Sequence, residues 1–128
     1  MVKSRLGKLL VRNAIKMSYV PEEGDIIWIN FNPQSGHEQA GHRPALVLSP
    51  SSYNRATSLL VCCPMTTQIK GYPFEVKISG NPENVALSDQ VKSLDWTARS
   101  ATKKGQAKPE ELEEVRQKIA ALLRISTS

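Results

Sequence analysis

Short apolar runs separated by polar turns make up most of the chain between residues 22 and 95. We predict a strand at each of the runs 26–32, 45–49, 58–63, 72–78, 85–88 and 91–94. Run 45–49 does not alternate between apolar and polar residues, which indicates burial on both faces. Run 72–78 does alternate, as is typical of a strand with one exposed face. Strands this short and this closely spaced predict a small, mostly antiparallel barrel.

The end of the chain carries the one convincing helical pattern. Pro109 suits a first helical position, and Glu110 and Glu111 suit the positive end of the helix dipole. Apolar residues then recur every three or four positions, as in a helix that packs on a sheet: Leu112, Val115, Ile119, Leu122 and Leu123. These patterns predict a mainly β fold with helices (α+β) that ends in a C-terminal helix.

A polar loop bounded by glycine and proline, residues 36–44, joins the first two predicted strands. It contains His37, Glu38, His42 and Arg43, whose side chains can move protons or bind phosphate. Two strands would hold the loop rigidly, and chemistry is often placed on such loops. The alternative interpretation is a solvated hairpin loop that is merely polar. A second polar loop, residues 65–71, follows the third predicted strand.

Composition indicates one globular domain, because 128 residues with 40% hydrophobic and 23% charged positions can bury a single core. The two cysteines, Cys62 and Cys63, are adjacent in a predicted strand and point to opposite faces. We therefore expect reduced thiols and a cytoplasmic protein. No CxxC or other ligand spacing predicts a metal site or a cofactor. No apolar stretch approaches the about 18 residues that a membrane span needs.

The net charge of +5 is unevenly distributed. The first 16 residues contain five basic and no acidic side chains, whereas residues 43–108 contain nine basic and four acidic ones. The central block is therefore the better footprint for a polyanion. We expect residues 1–16 to be a flexible basic extension or an upstream mis-start, and residues 17–128 to be the domain. A basic arm that helps to hold nucleic acid is the alternative.

Five ordered motifs resemble the MazF family (MazF/PemK-like), the mRNA interferase toxins of bacterial type II toxin–antitoxin pairs. The motifs are GDIIW at 24–28, GHEQAGHRPA at 36–45, CPMTT at 63–67, KGYPFEV at 70–76 and ALSDQVKS at 86–93. The resemblance runs from about Tyr19 to Leu123. It implies a homodimer of small SH3-like, CcdB/MazF-like antiparallel barrels. It further implies metal-independent cleavage of single-stranded RNA at short sequences, which leaves a 2′,3′-cyclic phosphate and a 5′-hydroxyl. A cognate MazE-like antitoxin would lay a disordered tail over the RNA groove.

The resemblance also implies site residues. The two best-supported catalytic positions of the family fall on Arg43 and Thr66, and His37, Glu38 and Asp89 match positions of the related Kid branch. That branch has an arginine two residues before the aspartate, where this chain has Leu87. A mechanism that depends on the Arg–Asp pair therefore lacks its arginine here.

Cyclising RNA cleavage needs a base, a group that stabilises the phosphorane charge, and an acid. Arg43 suits the second role, because its planar guanidinium matches phosphate oxygens; a salt bridge to a nearby acid is the alternative. Thr66 offers a hydroxyl that Thr67 can share or replace. Glu38 is the most natural base if the groove desolvates it, and His37 and His42 compete for the role of base or acid.

Further residues are candidates for binding RNA. Asp89 and Gln90 can read a base edge, although Asp89 can equally pin a turn. Phosphate contacts are expected from Arg55, Lys70, Lys77, Lys92, Arg99, Lys103 and Lys104. Phe74, Tyr72 and Trp96 are candidate stacking faces, with Trp96 slightly favoured as a core residue. We assign Trp28 and Tyr53 to packing. The rival functions are a CcdB-like, non-catalytic toxin that inhibits DNA gyrase and an RNA-binding module without activity.

Overall fold

The computed structural model describes residues 19–33, 36 and 41–127, and this part of the chain contains seven strands and two helices. The strands are β1 (Asp25–Asn30), β2 (His42–Val47), β3 (Leu59–Thr66), β4 (Glu75–Ile78), β5 (Asn84–Leu87), β6 (Lys92–Asp95) and β7 (Thr102–Gln106). The helices are α1 (Ser51–Thr57), between β2 and β3, and α2 (Pro109–Leu123), at the end. No helix among the described residues is long and apolar enough to cross a membrane.

The strands form one curled antiparallel sheet in the order β4-β5-β3-β2-β1-β7. β3 has two partners along its other edge, because β6 pairs with its first half and β5 with its end. The sheet therefore splits and curls around β3 into a half-barrel. This architecture confirms the predicted mainly β, antiparallel, barrel-like fold with a C-terminal helix.

Hydrophobic side chains fill both sides of the curled sheet. One cluster lies under α2 and contains Ile26, Leu46, Cys63, Met65, Val76, Ile78, Ala86, Ala107, Leu112 and Val115. The other contains Ile27, Ile29, Phe31, Ala45, Val47, Leu60, Cys62 and Leu94. Neighbouring residues of β2 enter opposite clusters, so the prediction that this strand is buried on both faces is confirmed.

Two features of the fold differ from the sequence prediction. The strand β7 was not predicted, because its residues are polar or glycine and four of the five are exposed. It is an edge strand that pairs with β1, and it needs no apolar face. The apolar stripe of α2 is buried at Leu112 and Val115, but its last two members, Leu122 and Leu123, are exposed. The end of α2 therefore presents apolar side chains to solvent.

Candidate active site

The predicted catalytic residues Arg43 and Thr66 lie on strands. We expected both in loops, and this was wrong: β2 begins at His42, and β3 continues to Thr66. Two polar residues and a proline, His42-Arg43-Pro44, hid the start of β2, although Pro44 lies opposite Trp28 of β1. Strands hold a side chain more rigidly than loops do, so Arg43 and Thr66 are better ordered than two loop residues would be.

The register of β2 and β3 brings Arg43 and Thr66 towards each other. The pairing includes Ala45 opposite Pro64, and extending it by two residues places Arg43 opposite Thr66. The last β2–β3 pair is Ala45 with Pro64, and the end of β3 pairs along its other edge with β5, through Thr66 and Val85. A cleft lies beyond this last β2–β3 pair.

This cleft, which we call the arginine cleft, has a volume of about 290 Å³. Arg43, Thr66 and Thr67 line it together with the exposed aromatic Trp28 and with Lys104 of β7. Its remaining walls are Ile26, Pro44, Met65, Ser79, Gly80, Asn81, Pro82 and Asn84. Two cationic side chains and three hydroxyl groups thus share a concave surface with apolar residues, which is an arrangement suited to a phosphate beside a base.

Thr66 is held firmly, and its hydroxyl donates to no residue that the structure describes. The residue is only 6% exposed, and its Oγ1 accepts a hydrogen bond from the backbone N–H of Gln68 at 3.0 Å. A hydroxyl that accepts one hydrogen bond can still donate its own proton. Thr66 can therefore donate to an anionic oxygen placed in the cleft.

Trp28 does not have the packing role that we predicted. Ile26, two residues earlier on β1, is buried with Leu112 and Val115 of α2, whereas Trp28 is 37% exposed. The Trp28 ring lies 5.7 Å from the His42 ring, tilted by 48°, and the Lys104 Nζ is 5.3 Å from the Trp28 ring centroid. Helix α2 packs over Ile26 but leaves Trp28 exposed, and the sequence of β1 alone does not predict this difference.

A second cleft of about 310 Å³ lies on the other side of Thr66. This cleft, which we call the aspartate cleft, is lined by Thr66, Gln68, Lys70, Tyr72, Phe74, Glu75, Leu87, Asp89 and Gln90. It therefore brings together five of the predicted RNA-binding residues, Lys70, Tyr72, Phe74, Asp89 and Gln90. Thr66 lines both clefts and marks where they meet.

Backbone hydrogen bonds shape the aspartate cleft. The Glu75 carboxylate accepts from the backbone N–H groups of Lys70, at 3.0 Å, and Gly71, at 2.8 Å. The Phe74 carbonyl accepts from the Ser88 hydroxyl at 2.6 Å, and the Gln90 N–H donates to the Leu87 carbonyl at 3.0 Å. These bonds fix the 67–74 segment and the turn that carries Asp89 and Gln90.

Two described site residues of the prediction line neither cleft. His42 contacts the Trp28 ring, which does line the arginine cleft. Lys92 lies on β6 opposite Cys62. The predicted residues His37 and Glu38 fall outside the described residues.

Several predicted RNA contacts have structural partners instead. Arg99 donates to the carbonyls of Asn30 and Asn32, at 2.8 and 2.6 Å. Trp96 is half-buried, and its Nε1 donates to the Asn54 carbonyl at 2.9 Å, which confirms the favoured core role.

Tyr53 was assigned to packing, but its side chain is 39% exposed, so that assignment was wrong.

The cysteines are structural. Both thiols are free and buried, as predicted, and burial raises the pKa of the Cys62 thiol to about 12. Neither thiol is a nucleophile at neutral pH, because the reactive form is the thiolate. Within the described ranges, no group of three or more His, Cys, Asp or Glu side chains is placed to hold a metal ion.

Comparison with known proteins agrees with this geometry. Residues 22–123 match the family of PemK-like, MazF-like toxins of type II toxin–antitoxin systems. The chain is 58% identical over 106 residues to the endoribonuclease toxin MazF of Escherichia coli K12, covering 82% of this chain and 96% of that protein. It is 37% identical over 109 residues to the endoribonuclease toxin ChpB of the same organism, covering 80% and 93%.

Solved structures give the same result for the fold. A crystal structure of MazF from Deinococcus radiodurans superposes with a TM-score of 0.80 at 49% identity, covering 84% of this chain and 99% of that one. A MazE–MazF complex from the same organism superposes with a TM-score of 0.76, with the same identity and coverage. On these matches, the chain belongs to the PemK-like, MazF-like toxin family of type II toxin–antitoxin systems.

Proposed function

We propose that this chain is a sequence-specific endoribonuclease toxin that cleaves single-stranded RNA without a metal ion. The observation that carries the proposal is that Arg43 and Thr66 line one cleft, beyond the last residue pair of β2 and β3. The family supplies the reaction class, and the geometry supplies groups that suit it.

The reaction is a transfer within the RNA. The 2′-oxygen loses its proton to a base and attacks the adjacent phosphorus; the bond from phosphorus to the 5′-oxygen breaks, and an acid protonates the departing oxygen. The products are a 2′,3′-cyclic phosphate and a 5′-hydroxyl. The Arg43 guanidinium stabilises the charge that develops on the phosphorane, and the Thr66 hydroxyl donates to one of its oxygens.

Glu38 is our candidate for the base, and His37 and His42 are candidates for the base or the acid. At the described ends of the β1–β2 connection, the Phe31 N–H donates to the Gly41 carbonyl at 2.8 Å, and the Gly41 N–H donates to Asn32 Oδ1 at 2.9 Å. In the sequence, His37 and Glu38 precede Arg43 by six and five residues.

We assign sequence readout to the aspartate cleft. Asp89 accepts hydrogen bonds from base amino groups, and Gln90 both donates and accepts. Phe74 offers a stacking face, while Lys70 binds a phosphate. Thr67 assists Thr66 in the arginine cleft, and Lys92 contributes positive charge to a longer stretch of RNA.

We propose that the toxin is a homodimer and that the groove between α2 and β3 is its interface. This groove, of about 320 Å³, is lined almost entirely by apolar side chains: Leu48, Val61, Val91, Ile119, Ala120, Leu123 and Ile125, with Arg116. Leu123 is 60% and Ile125 57% exposed. Contiguous exposed apolar residues of this kind mark an interaction surface.

The partner and the compartment follow from the family. We propose that a cognate MazE-like antitoxin inhibits the toxin by covering the RNA groove; the Deinococcus relative was crystallised with MazE. Because its substrate is mRNA, the toxin acts in the cytoplasm. The gyrase-inhibitor alternative is not favoured, since the E. coli relatives MazF and ChpB are endoribonuclease toxins.

The proposal is tested by incubating the purified protein with a long RNA of defined sequence in excess EDTA and sequencing the cut ends. We expect a few cuts within one short recurring sequence. Arg43→Ala and Thr66→Ala variants, prepared in the same way, control for contaminating nucleases. Activity that disappears in EDTA and returns with magnesium would overturn the mechanism.

A further inference from the structure

The arginine cleft contains an exposed aromatic ring that the proposed chemistry does not use. Trp28 is 37% exposed and lies on the same cleft as Arg43 and Thr66, above a floor that includes Ile26, Pro44 and Met65. A large aromatic side chain facing solvent beside a cationic site is a typical platform for a nucleic-acid base.

Trp28 and Trp96 are the two tryptophans of the chain, and their surroundings differ. Trp96 is half-buried, packs against a hydrophobic cluster and donates its indole N–H to the Asn54 carbonyl. The indole N–H of Trp28 donates to no residue that the structure describes, and the ring is held by its contacts with His42 and Lys104. Trp96 therefore has a structural role, whereas the exposed ring of Trp28 is available to a ligand.

The contact between Lys104 and Trp28 is weak enough to be replaced. A cation over an aromatic ring at an exposed site contributes about 0.5–1 kcal/mol. A base stacked on an aromatic side chain contributes about 1–3 kcal/mol. Stacking of a base can therefore replace this contact, and the Lys104 ammonium group can then bind a backbone phosphate of the same RNA.

Taking the proposed function as given, we propose that the arginine cleft is a base-stacking subsite for a nucleotide that flanks the scissile phosphate. Its base stacks on Trp28, and Lys104 moves from the ring to a phosphate. The subsite adjoins the reacting phosphate because Arg43 and Thr66 line the same cleft. Stacking accepts any base, so this subsite positions the RNA while the aspartate cleft selects the sequence.

The test combines a protein variant with an RNA that lacks one base. Single-turnover cleavage is measured for the parent protein and Trp28→Ala, on an RNA with one mapped cut and on copies with one abasic residue near the cut. We expect Trp28→Ala to slow cleavage of intact RNA by roughly 5- to 100-fold, as loss of one stack predicts. An abasic residue at the position that stacks on Trp28 should slow cleavage by the parent protein as much as Trp28→Ala does. The same abasic residue should slow cleavage by Trp28→Ala little further, because the stack is already lost.

Two comparisons separate stacking from other effects. Trp28→Phe keeps an aromatic ring and should retain most of the rate, and exchanging one base for another at the stacked position should change the rate less than removing it. The subsite proposal is overturned if the losses from Trp28→Ala and from the abasic residue multiply at every position scanned.

A binding experiment tests the subsite without cleavage. The Trp96→Phe background leaves Trp28 as the only tryptophan, and an RNA with a 2′-deoxynucleotide at the cut position binds without being cut. We expect this RNA to quench the Trp28 fluorescence and its abasic copy to quench much less. Binding without quenching contradicts the subsite. Base-dependent quenching by a protein that cleaves no RNA would instead support the subsite and refute the proposed reaction.

Discussion

At the scale of single residues, the account depends on Arg43 as the group that stabilises the transition state. We expect Arg43→Ala to lower the single-turnover rate by roughly a hundred-fold or more, as losing an oxyanion-type donor does, while RNA affinity falls much less. Arg43→Lys keeps the charge but loses the planar fork of donors, so it should restore little of the rate. Rate and binding are measured separately on an RNA with one mapped cut. A variant that keeps its rate but loses its affinity would make Arg43 a phosphate anchor.

Residue types also explain what the sequence could reveal about the site. The family resemblance implied Arg43 and Thr66, and the side-chain chemistry of Asp89 and Gln90 suggested base readout; all four residues line the two clefts. The exposure of Trp28 was not predictable from β1, because Ile26 and Trp28 occupy the same face of that strand. The packing of α2 decides the difference: it buries Ile26 in the core and leaves Trp28 exposed.

At the scale of elements, Glu111 joins α2 to the wall of the arginine cleft. Its carboxylate accepts from the Ser79 N–H and hydroxyl, both at 2.7 Å, and from the Lys108 N–H at 2.8 Å. Ser79 begins the β4–β5 turn that lines this cleft. Partial burial alone raises the pKa of Glu111, but the hydrogen bonds from Ser79 and Lys108 outweigh it, and the net effect lowers the pKa.

The lowered pKa gives a prediction with a definite sign. A carboxylate whose pKa is lower in the folded state stabilises the fold above its unfolded pKa, and this contribution is lost as the pH falls through the folded pKa. We expect Glu111→Gln to reduce the free energy of unfolding by about 1 kcal/mol at pH 7, and by less near pH 3. Urea unfolding at the two pH values measures both quantities. An equal loss of unfolding free energy at pH 7 and near pH 3 would show that the charge of Glu111 does not contribute to stability.

The elements that sequence patterns missed are those without an apolar face. Apolar runs identified the cores of β1, β2 and β3, but the polar start of β2 and the end of β3 extend beyond them. β7 is an exposed edge strand whose pairing with β1 depends on a partner distant in sequence. The catalytic candidates Arg43 and Thr66 lie at these strand ends, so the apolar runs did not predict the elements that carry them.

At the scale of the whole molecule, the proposed dimer depends on the groove between α2 and β3. Leu123 lines that groove and Leu122 does not, although both are exposed. We expect Leu123→Lys to shift the protein towards monomer in sedimentation velocity runs, because it places a charge in an apolar interface. Leu122→Lys is the matched control and should leave the dimer intact. Equal behaviour of the two variants would place the interface elsewhere.

We propose that the domain starts near Met17. The role of the N-terminal extension, residues 1–16, is therefore tested separately. Tyr19, the first described residue, packs against the core, and its hydroxyl donates to Asp25 at 2.8 Å. We expect deletion of residues 1–16 to leave cleavage at physiological salt nearly unchanged. If those five basic residues bind RNA, deletion will weaken binding and reduce its dependence on salt concentration. Binding titrations at several salt concentrations distinguish the two cases.

The central claim is that the 2′-hydroxyl of the RNA attacks the phosphate at a site made by Arg43 and Thr66. The most direct test uses an RNA with a single 2′-deoxynucleotide immediately before the mapped cut. In EDTA, the unmodified RNA should yield a 2′,3′-cyclic phosphate and a 5′-hydroxyl. The modified RNA should bind with similar affinity and remain intact, because the attacking oxygen is missing. Cleavage of the modified RNA at the same position, or a 5′-phosphate on the product of either RNA, would contradict the account.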